Sequence, residues 1–143
     1  MSTIQPPTSA YVGASWAALF IGVIAYLVGL WNAEMMLNEK GYYFAILLLG
    51  LYAAISLQKT IRDKNEGIPT SEMYYTISWV ALSASLILMA VGLWNAELLL
   101  SEKGFYTMSY TLSLFAVITI QKNTRDLAAF PDKHLSFGNN DDA

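Results

Sequence analysis

The sequence predicts an all-α membrane protein whose four transmembrane helices form two tandem parallel-repeat helical hairpins. Three observations carry this prediction. Hydrophobic residues make up 55% of the 143-residue chain and charged residues only 13%, about half the usual charged share, and the mean hydropathy is +0.41. The charges are bunched between four long uncharged runs. One motif also occurs twice, 63 residues apart.

The elements follow in order. Residues 1–10 form a polar N-terminal tail with Pro6 and Pro7. Tyr11 to Trp31 carries no charge over 21 residues, roughly 31 Å as a helix and enough for a hydrocarbon core of about 30 Å. This run is not read as a cleaved leader, because it lacks a basic n-region and its apolar stretch is too long. Gly41 to Leu57 is the second uncharged run, near the lower limit of about 17 residues. The polar stretch after it holds Gly67 and Pro69, which break helices, so residues 64–73 read as a linker. Met73 to Ala96 and Gly104 to Ile120 complete the four. Residues 127–143 form a polar tail whose end, Gly138 to Ala143, is expected to be disordered.

The duplication sets the geometry. Gly29-Leu30-Trp31-Asn32-Ala33-Glu34 returns as Gly92-Leu93-Trp94-Asn95-Ala96-Glu97, Glu39-Lys40-Gly41 as Glu102-Lys103-Gly104, and Gln58-Lys59-x-x-Arg62-Asp63 as Gln121-Lys122-x-x-Arg125-Asp126. From Val28 to Asp63, 20 of 36 positions are identical, which marks two copies of one supersecondary unit, at residues 11–63 and 74–126. A unit of two spans returns the chain to its starting side. Both copies therefore share one orientation and relate by a pseudo-two-fold axis along the membrane normal. Lys59, Arg62, Lys64, Lys122, Arg125 and Lys133 flank one side against only Lys40 and Lys103 on the other. The positive-inside rule then puts both termini and the linker in the cytoplasm.

Small residues recur every seven positions along the odd helices: Ser15, Gly22 and Gly29, then Ser78, Ser85 and Gly92. Such a stripe lets helix backbones approach closely, with Gly50, Ala53, Ser113 and Ala116 offering a narrow partner face. It serves packing inside the chain or against another protomer. Trp31 and Trp94, with Tyr42, Tyr43, Phe105 and Tyr106 opening the return helices, fall where an aromatic belt belongs. Lys59, Arg62, Lys122 and Arg125 sit at helix C-termini, where cations complement the dipole and long stems snorkel to headgroups. Asn38 and Ser101 read as N-caps of the return helices. Lys40 and Lys103 can pair with the acids before them or reach phosphates.

Asn32, Glu34, Asn95 and Glu97 form the candidate polar cluster at the outer boundary. The two asparagines are placed to hydrogen-bond near the pseudo-axis, and the two glutamates to hold a proton or cation between them. Catalysis is not expected. Zero cysteines and a lone His134 in the tail leave no metal-ligand set, cofactor motif or triad, and the net charge of −3 gives no reason to expect nucleic acid.

The doubled Gly-Leu-Trp-Asn-Ala-Glu and Glu-Lys-Gly motifs with the closing Gln-Lys-x-x-Arg-Asp resemble the bacterial YiaA/YiaB inner-membrane family from Tyr11 to Asp126. The resemblance implies a bacterial cytoplasmic-membrane location and assigns no role to particular residues. The expectation is a non-catalytic accessory or scaffold protein in the lipid bilayer, packing with itself or with a membrane partner. The alternative is a small oligomeric carrier or channel using the Asn/Glu pairs.

Overall fold

A computed structural model describes residues 5–130; the expected disorder after Gly138 and the tail His134 lie outside them. Four helices follow one another: α1 (Ser9–Asn32), α2 (Leu37–Asn65), α3 (Glu72–Asn95) and α4 (Leu100–Ala128). Every boundary recurs 63 residues later, so the repeat in sequence is a repeat in structure. Thr8 and Ser71 cap α1 and α3 by accepting from the backbone N–H of Tyr11 and Tyr74, which satisfies donors that a helix start leaves unpaired. Gly67, with φ +76°, makes the turn out of α2 at an angle that a side chain would disfavour.

Each copy is a hairpin by connection, yet its two helices barely touch. α1 lies along α4 and α3 along α2, while α2 and α4 meet in the middle. The repeats therefore interlock, each odd helix packed on the even helix of the other copy. Contacts at both ends join corresponding stretches of the two copies: the rings of the counterparts Tyr43 and Tyr106 stack at 6.2 Å, and Arg62 and Asp63 pair crosswise with Asp126 and Arg125, each meeting the counterpart of its neighbour. That correspondence makes α2 and α4 parallel and puts the pseudo-two-fold axis between them.

The small-residue stripes explain the interlock. A Cβ on Gly22 would sit 2.6 Å from Ser113 Oγ and 3.1 Å from its backbone nitrogen, and one on Gly50 would sit 2.8 Å from Ser85 Oγ. The four positions are two symmetry-related crossings with glycine and serine exchanged. In each, the backbones approach so closely that only one hydroxymethyl fits between them. Ser85 uses its hydroxyl to donate to the Ile46 carbonyl at 3.0 Å. Ser15 accepts from Asn123 Nδ2 at 3.2 Å, and Gly29 and Gly92 are covered by Phe105 and Tyr42. Ser78 is buried and bonds back to Tyr74.

α1, α2 and α3 are long and apolar enough to cross a bilayer. α4 has the same 29 residues as α2 but more hydroxyls, and Thr107, Ser109, Ser113 and Thr119 each donate to the carbonyl four residues back. Large apolar side chains cover the outside of the bundle, among them Phe20, Ile24 and Val28 on α1 and Met108, Leu112 and Phe115 on α4.

Candidate functional site

The two hairpin tips, residues 33–36 and 96–99, enclose the mouth of an open cavity of about 1480 Å³. Asn32, Glu34, Asn95 and Glu97 all border it, one Asn and one Glu from each repeat, and Glu39 and Glu102 from the first turns of α2 and α4 join them. The mouth is thus ringed by four carboxylates. Neither Lys40 nor Lys103 lines it; Lys40 instead donates to the Trp31 carbonyl at 3.0 Å, where a cation offsets the negative end of α1.

Two local expectations are corrected. The asparagines do not bond to each other. Asn32 Nδ2 donates to the Val28 carbonyl at 3.0 Å and Asn95 Nδ2 to the Val91 carbonyl at 2.9 Å, each closing the end of its own helix, where unpaired carbonyls are at hand. Asn38 and Ser101 are not N-caps either. α2 and α4 start at Leu37 and Leu100, behind Met36 and Leu99, which give no side-chain cap. The extended tips deliver the chain to the helix two residues earlier than the polar residues suggested, and the acids Glu39 and Glu102 meet the positive helix ends instead.

The floor of the cavity is aromatic. Tyr42, Tyr43, Phe105 and Tyr106 line it above Gly29 and Gly92, the positions where each ring needs the space a Cβ would fill. Tyr42 donates to the Leu88 carbonyl at 2.6 Å and Tyr106 to the Gly29 carbonyl at 2.9 Å, both across the repeat boundary. Directly beneath, the fully buried Tyr26 donates to the Tyr43 carbonyl at 2.7 Å and packs edge-on against Tyr106. Tyr110 shares a hydrogen bond with Ser85 one layer lower. Sequence reasoning treated these rings as a belt and missed Tyr26 altogether. Its only signal was a polar-tipped aromatic among the small residues of α1.

Trp31 and Trp94 are 81% and 85% exposed and stand outside the bundle. The anchoring cations at the opposite end have protein partners. Arg62 bonds Asp126 at 2.6 Å, Arg125 bonds Asp63 at 2.7 Å, and both reach Glu66; Lys59 and Lys122 pair with the aspartates of their own helices. Hydrogen bonds from Lys59 and then Arg125 hold the Asp63 carboxyl below the usual aspartate range. Burial pushes Asp126 up, but Lys122 and Arg62 outweigh it and its pKa is lowered too. Among the described residues, no three acidic or histidine side chains converge to hold a metal ion.

Comparison with known proteins meets this geometry at the repeat. The model of the yiaA/B two helix domain matches twice, at residues 11–63 and 74–126. Inner membrane protein YiaA of Escherichia coli (strain K12) is 56% identical over 133 residues, 93% of this chain and 90% of its own. Membrane protein YubF of Bacillus subtilis (strain 168) is 42% identical over 60 residues, 41% of this chain and 69% of YubF. Inner membrane protein YiaB of Escherichia coli is 26% identical over 98 residues, 66% of this chain and 80% of its own. No solved structure gives a significant match.

Proposed function

The chain belongs to the yiaA/B two-helix-domain family, and from that premise we propose a four-crossing bacterial inner-membrane protein that works without catalysis. It acts as an accessory or scaffold, packed with copies of itself or with a membrane partner. The observation that carries this reading is the closed interior. Below the tip cavity, Tyr26 is wholly buried between the repeats, and at the glycine–serine crossings the facing helices are so close that an added Cβ would collide. A conduction path needs polar groups continuous across the span, and buried mid-span hydroxyls are bonded to backbone. The exposed apolar stripes on α1 and α4 suit lipid or a partner helix, and α4's hydroxyls, satisfied inside their own helix, cost little in hydrocarbon. The basic excess at the linker end supports both termini on the cytoplasmic side.

The cavity itself favours the second reading, a small oligomeric carrier using Asn32, Glu34, Asn95 and Glu97. Flux across liposomes containing the purified chain separates the two. The scaffold reading expects no flux above empty liposomes and a stoichiometric neighbour, or a second copy, on gentle extraction from native membranes. Flux abolished by Glu34→Gln/Glu97→Gln would replace it with the carrier. A reporter fused to the C-terminus is expected to remain cytoplasmic.

A further inference from the structure

Beyond the scaffold role, and independently of any transport, we propose that the tip cavity binds a linear organic polyamine. Four carboxylates ring the mouth, and they arrive as two pairs, Glu34 with Glu39 from one repeat and Glu97 with Glu102 from the other. Each pair belongs to a different tip, so negative charge is divided between the two repeats and not focused on one point. That distribution is wrong for a metal ion, which needs ligands converging at about 2–2.6 Å and finds no such group among the described residues. It suits a ligand whose positive charges are separated along a flexible chain. The methylenes between them would meet the apolar wall, and the ammonium groups the faces of the floor rings, of which Phe105 is 44% exposed.

A second observation, unrelated to the acids, points the same way. Tyr43 is 95% removed from solvent, at 5% exposure, and borders the cavity. Its counterpart Tyr106 anchors its hydroxyl on the Gly29 carbonyl. Tyr43 has no such bond: its carbonyl accepts from Tyr26 and its ring stacks on Tyr106, but its hydroxyl has no protein partner. That hydroxyl is not sealed away either, since among the described residues the only enclosed side-chain atom lacking a partner is Asn123 Oδ1. It therefore keeps some access to solvent, an unused polar group on a residue that borders the cavity. Buried polar groups are ordinarily hydrogen-bonded. An N–H of a bound ammonium would give this oxygen the donor it lacks.

The test is calorimetric titration of the full chain in nanodiscs of zwitterionic phosphatidylcholine, with spermidine as the probe and magnesium and tetramethylammonium as controls. The expected result is saturable spermidine binding that weakens as salt is raised. Glu34→Gln/Glu97→Gln and Glu39→Gln/Glu102→Gln are each expected to lower affinity by about tenfold or more, the scale of a lost charge-assisted contact. Tyr43→Phe, which keeps the ring, is expected to lower it by about threefold or more with the helical circular dichroism unchanged. Absence of saturable heat, wild-type affinity in both glutamine variants, or magnesium competing at the same concentration as spermidine would each overturn the proposal. An unchanged Tyr43→Phe affinity would remove the tyrosine from the site and sink the argument built on it.

Discussion

At the linker end of the bundle Arg62 reaches Asp126 while Arg125 reaches Asp63, so α2 and α4 are tied twice. At the tip end the same two helices carry Glu39 and Glu102, no ion pair joins the repeats there among the described residues, and a cavity of about 1480 Å³ opens. One duplicated unit produces both ends. The difference lies in how charges meet their own copies across a two-fold axis. An Arg-Asp dipeptide facing a second Arg-Asp is complementary, each cation finding the other repeat's anion. At the tips the neighbouring Lys40 and Lys103 do not line the cavity, so the glutamates that border it bring only like charge, which repels unless a cation comes between. The axis therefore closes one end and leaves the other available.

The heaviest blow to this contrast would fall at the crossing that sets the distance between repeats. Gly22→Val is expected to cost about 3 kcal/mol or more, because its Cβ meets Ser113 backbone as well as its hydroxyl and only separation of α1 from α4 relieves it; reversible unfolding in detergent micelles measures it. A cost below about 1 kcal/mol would mean that the helices do not cross there.

Next comes the clasp. Asp63→Asn removes the partner of Arg125 and Lys59 at a side chain 8% exposed, and a loss of about 1–2 kcal/mol is expected, between the exposed and fully buried cases. The same clasp gives a pH signature. Asp63 and Asp126 have pKa values lowered from 3.8, so their stabilisation is present above pH 3.8 and lost as the pH falls through the lowered values. Wild-type stability is expected to drop in that acid range, and the drop to shrink in Asp63→Asn.

Helix starts sharpen the contrast further. Ser71→Ala removes a working cap at the linker end and is expected to cost about 1 kcal/mol. Asn38→Ala at the tip end, beyond an uncapped start, is expected to change stability by less than about 0.5 kcal/mol. Smallest is a gain: Gly41→Ala, where a Cβ meets nothing within 4 Å, is expected to add about 0.5 kcal/mol in the first turns of α2. A loss there would show that the tip packs more tightly than the open cavity implies.

Much of the bundle was legible in residue order. The uncharged runs mark where helices lie, and small residues at heptad spacing mark where backbones come close. What the stripe could not say is which helix fills it. Gly22 and Ser113 read as matching surfaces whether the partner is a neighbour in the chain, the other repeat or another protomer. The polar cluster shows the same division. Asn32, Glu34, Asn95 and Glu97 do share one cavity rim. Whether the asparagines bond each other or their own helices depends on about one turn of helix geometry, and the nearer carbonyl won. The idle Tyr43 hydroxyl was invisible, because its sequence neighbourhood is nearly that of Tyr106.

The sequence by itself determined that this is a duplicated pair of long apolar helices with charge confined to the ends, since hydropathy and repetition are properties of residue order. Only the tertiary structure decided that the repeats interlock instead of standing side by side, and that one end is clasped while the other gapes. Those outcomes depend on which surfaces meet across the axis, and contact between residues 63 apart is set by packing and by the signs of the charges it brings together.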